Sequence, residues 1–206
     1  IRDRLRGARV TVTGNPVRPE FRAVAPLHKR PSRVLVMGGS QGARRINRAL
    51  ADCVRGLLER FGDLEVVHQC GRLDEAEMGA ARGALPQGVR QRWQLGAFFT
   101  DMAARIGASD LVVMRAGGSS LAEVSAMGRP MIVVPYPHAG DHQRHNARPY
   151  AEAGAAIVIS DEDCDSEHLG EEIAALLDDM SRWQHMAERS RAMGRPDAAD
   201  RVVAVI

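Results

Sequence analysis

Residues 34–43 have the sequence VLVMGGSQGA, in which four apolar residues are followed directly by a glycine-rich turn. An apolar run of this length is typical of a parallel strand that is buried on both faces. Glycines let the backbone approach a ligand closely, and the free N–H groups at the start of the following helix favour an anion. The stretch predicts a strand, a turn and a helix, with phosphate or diphosphate contact at the turn. A tight turn that Ser40 merely caps is the structural alternative.

Short apolar runs continue to alternate with helix-length segments beyond this turn. Helices are predicted at Ala43–Arg60 and Ser120–Met127, and the tail from Asp165 onward is predicted to be two or three helices with a break at Gly194-Arg195-Pro196. This order predicts an α/β fold with a Rossmann-like, doubly wound parallel sheet, in which ligands bind at the carboxyl ends of the strands. The predicted strands are Val34–Met37, Leu64–His68, Val89–Leu95, Leu111–Met114, Met131–Val134 and Ala156–Ile159.

The segment before the sheet is predicted to be an interdomain connector, residues 1–32, with one edge strand. Residues 8–13, ARVTVT, alternate like a strand, and residues 14–31 contain four prolines. Residues 33–206 form the predicted Rossmann-like domain with its helical tail. Because the chain starts with Ile1 rather than Met, we interpret it as a piece of a longer protein.

Composition excludes several classes of function. The net charge is only +2, which does not favour nucleic acid as a partner, although residues 1–48 carry a local net charge of +10. The single lysine, Lys29, follows His28 rather than a glycine, so the chain has no P-loop. The three cysteines form no CxxC motif, which favours free thiols in a reducing cytosol. No apolar run approaches the 18 residues expected of a membrane-spanning helix.

A second unusual loop, Arg115-Ala116-Gly117-Gly118-Ser119-Ser120, follows another apolar strand and leads to Glu123. Ser120 and Glu123 have the spacing of a capping box, which would explain both residues structurally. A carboxylate one turn into a helix at the ligand edge can instead accept both hydroxyl groups of a ribose. The sequence leaves both interpretations open.

A third loop, residues 135–146, contains His138, Asp141, His142 and His145. Three histidines and an aspartate allow a metal site, but no dedicated ligand spacing such as HExxH is present. A loop and helix start that present polar side chains to a ligand is the favoured interpretation, and a solvated helix terminus is the structural alternative.

The order of these motifs resembles the carboxyl-terminal half of the MurG family, the bacterial peptidoglycan GlcNAc transferases. The resemblance covers essentially the whole chain. It implies one half of a GT-B glycosyltransferase, a Rossmann-like domain that holds the nucleotide-sugar donor, UDP-GlcNAc. The matching segments are TGNPVR at 13–18, VLVMGGSQGARRIN at 34–47, DMAARIGASDLVVMRAGGSSLAEV at 101–124, GRPMIVVPYPHAGDHQRHNA at 128–147, EAGAAIVI at 152–159 and RPDAADRV at 195–202.

The resemblance also implies roles for individual residues. Arg18 and the turn Gly39-Ser40-Gln41-Gly42 would meet the donor diphosphate. Backbone groups at Phe99 would face uracil, and Glu123 would hold the ribose hydroxyl groups. Gln143 and His142 would contact GlcNAc. The helix start formed by Gly117, Gly118, Ser119 and Ser120 would supply further contacts to the donor.

The resemblance also implies the acceptor and the cellular location of the full-length enzyme. The family transfers GlcNAc to undecaprenyl-pyrophosphoryl-MurNAc-pentapeptide, a lipid at the inner face of the cell membrane, where the enzyme is a peripheral cytoplasmic protein. Its acceptor site and general base lie in an amino-terminal domain that has no counterpart here. We therefore assign no catalytic residue, metal or other cofactor, and we expect the chain to bind UDP-GlcNAc without transferring it. The alternatives are a related GT-B transferase, a non-catalytic nucleotide-sugar module and a metal-dependent hydrolase.

Overall fold

Six parallel strands form a single sheet in a computed structural model, which describes residues 10–22, 26–39, 41–137 and 141–205. The spatial order is β3-β2-β1-β4-β5-β6, so the strand order reverses beside β1. This arrangement confirms the predicted α/β fold and creates a crevice beyond the carboxyl ends of β1 and β4. The strands are β1 (Arg33–Met37), β2 (Glu65–Gln69), β3 (Trp93–Gly96), β4 (Leu111–Met114), β5 (Met131–Val133) and β6 (Ala156–Val158).

Helices follow the strands and cover both faces of the sheet. None of those in the described ranges is long and apolar enough to cross a membrane. The tail contains three helices, as predicted, with Gly194, Arg195 and Pro196 between the last two. The helices are α1 (Arg44–Arg60), α2 (Glu75–Gly83), α3 (Gln87–Arg90), α4 (Met102–Ala108), α5 (Gly118–Ala126), α6 (His142–Glu152), α7 (Ser166–Asp178), α8 (Met180–Met193) and α9 (Ala198–Val203).

Alternate residues of β1 enter two separate hydrophobic cores. Val34 and Val36 are buried with α1 and α7, whereas Leu35 and Met37 are buried on the opposite face with α4 and α5. This alternation follows from the pleat of a strand, and it explains the uninterrupted apolar run that decided the fold. The cores fix the strand ends from which the candidate site is built.

The segment before β1, which the sequence predicts to be a connector, packs against the sheet domain. Phe21, in a 3-10 turn at Pro19–Phe21, is fully buried in the same core as Leu35. The buried carboxylate of Asp110 accepts hydrogen bonds from the N–H groups of Ser32 and Arg33, both at 2.9 Å. These contacts place residues 17–21 beside the crevice.

Two strand predictions were wrong in part. Residues 10–13 form no strand, and the Val12 carbonyl instead accepts a hydrogen bond from the Arg201 side chain of α9 at 3.3 Å. Residues 8 and 9 lie outside the described ranges. The strand predicted from Val89 begins only at Trp93. Val89 belongs to the short helix α3, whose N-cap is Pro86, a residue with no N–H to lose at a helix start.

Candidate functional site

The glycine-rich turn after β1 has a shape that side chains would prevent. The N–H of Gly38 donates to the carbonyl of Gln69 at 2.8 Å. Gly42 has a φ of +95°, and a Cβ atom there would lie 2.5 Å from the Cys70 carbonyl oxygen. Gly39 also has a positive φ, +72°, but a Cβ atom there would meet no atom within 4 Å. Gly42 therefore fixes the turn, whereas Gly39 leaves the backbone open to a ligand.

Helix α1 begins directly after this turn. Its N-cap is Ala43, whose side chain cannot accept a hydrogen bond, so the structural alternative, in which Ser40 is the N-cap residue, does not hold. Ser40 itself, the residue expected to meet a diphosphate, lies outside the described residues. A helix start without a side-chain cap retains N–H groups and a positive dipole end that favour an anion.

A buried polar network supports the turn from below. The Asn47 amide nitrogen donates to the Cys70 carbonyl at 2.8 Å and to Asp74 at 2.7 Å. Its oxygen, 2.9 Å from Nε2 of His68, therefore accepts a hydrogen bond from that ring. Burial lowers the pKa of His68 to about 3, although nearby Asp74 opposes this shift, so the ring is neutral at physiological pH. Sequence analysis did not single out these residues.

Six of the predicted site residues meet in one cavity of about 490 Å³, which we call the inner cleft. It lies beyond the carboxyl ends of β1 and β4, where the strand order reverses. Its other walls are largely apolar and include Met102 and Met114. The predicted residues in the inner cleft are Arg18, Gly39, Phe99, Gly117, Ser120 and Glu123.

Glu123 is the half-buried acid of the inner cleft. Burial raises the pKa of its carboxyl group, while the charge of Arg18 partly offsets the shift. The N-cap of α5 is Gly117, which places Ser120 third in the helix and excludes the capping box. No described group donates a hydrogen bond to the Glu123 carboxylate, so its oxygens can accept hydrogen bonds from a ligand.

Arg18 is the basic residue of the same cleft. Its guanidinium lies 4.9 Å above the centre of the Phe21 ring and 3.1 Å from a carboxylate oxygen of Glu20. Phe21 is buried and anchors the 3-10 turn, and the exposed Arg18 guanidinium lies close enough to Glu123 to offset part of the rise that burial causes in the pKa of its carboxyl group. The cleft thus combines the Arg18 cation with a partly desolvated acid and an open backbone turn.

The loop after β3 contributes Phe99 to the inner cleft, and neighbouring residues contact both the ring and the backbone N–H of Phe99. The Phe99 ring is packed beneath the Arg105 guanidinium, 3.7 Å from the ring centre, and against the backbone of Gly96. The Phe99 N–H donates to Oε1 of Gln69 at 3.0 Å. Gln69 is a further cleft residue, and the sequence signal for it was only its place at the end of a buried strand.

A larger cavity of about 1070 Å³, which we call the outer groove, adjoins the inner cleft at Gly39 and Arg115. Arg115 is mostly buried, forms an ion pair with Asp161 at 2.5 Å and donates to the Val134 carbonyl at 3.1 Å. The Gln143 side chain lines this groove and accepts a hydrogen bond from the Tyr136 N–H at 2.9 Å. The other predicted residues in the outer groove are Gln41 and Gly42.

The remaining predicted residues lie near the two cavities without lining them. Gly118 and Ser119 occupy the first turn of α5, and His142 is the exposed first residue of α6. Within the described ranges, no three His, Cys, Asp or Glu side chains lie close enough to hold a metal ion. His138, which the metal hypothesis requires, falls outside those ranges.

Comparison with known proteins places this geometry in a family. The chain is 39% identical over 217 residues to the UDP-N-acetylglucosamine--N-acetylmuramyl-(pentapeptide) pyrophosphoryl-undecaprenol N-acetylglucosamine transferase of Rhodopseudomonas palustris (strain BisB18), covering 100% of this chain and 56% of that protein. It is 41% identical over 203 residues to the enzyme of the same name from Sorangium cellulosum (strain So ce56), covering 97% and 49%. The chain thus spans about half the length of these curated relatives.

A solved structure and a family model agree with these relatives. The crystal structure of Acinetobacter baumannii MurG superposes with a TM-score of 0.71 at 29% identity, covering 91% of this chain and 51% of that one. The model of the glycosyltransferase family 28 C-terminal domain matches residues 33–202. The chain therefore belongs to glycosyltransferase family 28 and contains the C-terminal domain of that family.

Proposed function

We propose that the chain is the donor-binding half of a transferase that moves GlcNAc from UDP-GlcNAc to undecaprenyl-pyrophosphoryl-MurNAc-pentapeptide. The observation that carries the proposal is the half-buried Glu123 carboxylate, which faces the same cleft as the open turn at Gly39. Burying an acid without a hydrogen-bond donor costs free energy, and a ligand that supplies two hydroxyl groups recovers it. UDP-N-acetylglucosamine, which the names of the relatives contain, carries two such hydroxyl groups on its ribose, and this supports the proposal.

Each part of this donor is assigned to one of the two cavities or to the turn between them. The uridine fits the inner cleft, with its ribose at Glu123 and its base beside the Phe99 loop. The diphosphate lies at the turn that both cavities share, between Arg18 and the start of α1. The GlcNAc ring extends into the outer groove toward Gln143, with Ser40, Ser119 and His142 as further contacts.

The chain's chemical contribution is electrostatic. In an inverting displacement at the anomeric carbon, UDP leaves and negative charge develops on its β-phosphate. Arg18 and the N–H groups at the start of α1 stabilise that charge, the task that a divalent cation performs in other enzymes. We therefore propose no metal. The lipid acceptor and the general base belong to the amino-terminal half of the enzyme, which meets the acceptor at the membrane surface.

Calorimetric titration of the 206-residue chain with UDP-GlcNAc, UDP-GalNAc, UDP-glucose, UDP and 2′-deoxy-UDP tests the proposal. We expect UDP-GlcNAc to bind most tightly among the three sugars, and 2′-deoxy-UDP to bind at least about tenfold more weakly than UDP. Glu123→Ala should weaken UDP by a similar factor and abolish the difference between UDP and its deoxy analogue. Glu171→Ala, which removes an exposed acid on α7, is the matched control.

Two outcomes would contradict the proposal. The absence of UDP-dependent heat at millimolar concentration would exclude a donor domain. Normal UDP affinity in Glu123→Ala, combined with a loss of more than about 2 kcal/mol in unfolding free energy, would mean that Glu123 is structural. Retention of stoichiometric zinc after dialysis would favour the hydrolase alternative.

A further inference from the structure

Gln69 is a buried polar residue at the end of β2, and hydrogen bonding within the protein accounts only for the oxygen of its side-chain amide. Its exposed fraction is 4%, it pairs with Met37 and Gly96 on the neighbouring strands, and it lines the inner cleft. A primary amide has one acceptor oxygen and two N–H donors, and burial is costly when these groups lack partners.

The contact with Phe99 fixes the orientation of this amide. A backbone N–H only donates, so the Gln69 atom 3.0 Å from the Phe99 nitrogen is Oε1, and Nε2 occupies the other position of the amide. No group in the part of the chain that the structure describes accepts a hydrogen bond from Nε2. Gln69 therefore carries two unused donors at the wall of the cleft.

The same contact determines what the Phe99 loop can offer a ligand. Because its N–H is bound to Gln69, the backbone at Phe99 retains only a carbonyl acceptor. A base that fits here must present a donor to that carbonyl and an acceptor to Nε2. Uracil has this pair on one edge, N3–H beside O4, whereas cytosine presents an acceptor and a donor in the reverse order.

We propose that Gln69 determines base specificity, with its Nε2 donating to O4 of uracil while its Oε1 holds the Phe99 loop in place. The inference rests on the proposed function, since it assumes a uridine nucleotide in the inner cleft. It adds a mechanism for rejecting cytidine nucleotides: in their complex the amide N–H group of Gln69 would face the exocyclic N–H group of cytosine. A site built to donate to a ligand atom rejects analogues that lack the acceptor.

Titration with UDP and CDP, which differ only at this edge of the base, tests the inference. We expect the wild-type chain to bind UDP at least about tenfold more tightly than CDP. Gln69→Glu keeps an acceptor for the Phe99 N–H but removes both donors, so its UDP-to-CDP affinity ratio should fall at least about tenfold. The added charge repels both diphosphates equally and therefore cancels in the ratio.

Two variants and one ligand analogue complete the design. Gln69→Met should lose UDP affinity without gaining affinity for CDP, because methionine offers neither donor nor charge. Gln91→Glu makes the same chemical change at an exposed residue before β3 and should leave the ratio unchanged. On the wild-type chain, 4-thio-UDP should bind several-fold more weakly than UDP, a measurement that does not depend on the folding of any variant.

The outcomes separate the two proposals. If the wild-type chain binds UDP but Gln69→Glu keeps the wild-type UDP-to-CDP ratio within twofold, the role of Gln69 is overturned and the donor function stands. Equal affinity of the wild-type chain for UDP, CDP and 4-thio-UDP would overturn it as well. If the wild-type chain binds no uridine nucleotide, the proposed function fails and the inference fails with it.

Discussion

Lowering the pH from 7 to 5 should destabilise this protein through a single histidine, His68. The ring is fully buried, stacks on Trp93 with 6.0 Å between ring centres, and donates to Asn47. Burial lowers its pKa from the ordinary value of 6.5 to about 3 in the folded chain. Between these values the unfolded chain binds a proton that the folded chain does not, so stability is lost as the pH falls below about 6.5.

The two pKa values set the size of the effect. At pH 7 both states are largely neutral at this site, and the linked free energy is on the order of 0.2 kcal/mol. At pH 5 the unfolded histidine is almost fully protonated and the folded one is not, which costs about 2 kcal/mol. This is a substantial fraction of the roughly 5–15 kcal/mol that stabilises a typical domain.

Urea denaturation at pH 7, 6 and 5 measures this loss, with His68→Gln as the reference protein. Glutamine also offers an N–H donor toward Asn47 but does not titrate, and the other histidines are common to both proteins. The wild type should therefore lose about 2 kcal/mol more than His68→Gln between pH 7 and pH 5. Equal losses in the two proteins would refute the argument, because His68 would then titrate identically in the folded and unfolded chains.

Two further predictions concern the glycine-rich turn and the thiols. Gly42→Ala should be strongly destabilising in urea denaturation, because its φ is positive and a Cβ atom would lie 2.5 Å from the Cys70 carbonyl oxygen. Gly39→Ala, where the Cβ atom would lie in open space, should cost only about 1 kcal/mol of unfolding free energy. Similar losses in the two variants would contradict this geometry. Burial raises the pKa of Cys53 to about 12 and of Cys164 to about 11, so neither thiol should react with Ellman's reagent at pH 8 until urea is added. Rapid labelling of the native chain would show that these thiols are accessible.

The sheet could be predicted from sequence because its strands are buried on both faces. Runs such as VLVM and MIVV are short, wholly apolar and separated by helix-length segments, so they predict strands rather than helices. The two errors occurred where local alternation was the only signal. Val89 is apolar, but Pro86 begins a helical turn there, and residues 10–13 alternate correctly without a neighbouring strand to pair with. Which strands pair with each other depends on the tertiary structure, and a local sequence pattern carries no information about it.

Motifs identified the loops of the candidate site but not the residues that hold them. Glycine turns and a helical glutamate are local signals, and the structure brings Arg18, Gly39 and Glu123 into one cleft. Asn47 gave no such signal, and Arg115 gave none of its partner, because the partners are distant in the chain: Asp74 for the first and Asp161 for the second. Contacts over such separations depend on the register of the whole sheet.

The end of β2 shows why a histidine and a glutamine occur where a dinucleotide-binding domain would carry an acid. Consecutive residues of a strand face opposite sides of the sheet, so His68 lies beneath the glycine turn while Gln69 faces the inner cleft. A carboxylate in place of Gln69 could still accept the Phe99 N–H, but it would offer no donor and would add a negative charge to the cleft in which we propose that a diphosphate nucleotide binds. A charged residue in place of His68 would have to be buried. The two side chains together let one strand contact both the network beneath the glycine-rich turn and the inner cleft, and neither adds a buried charge.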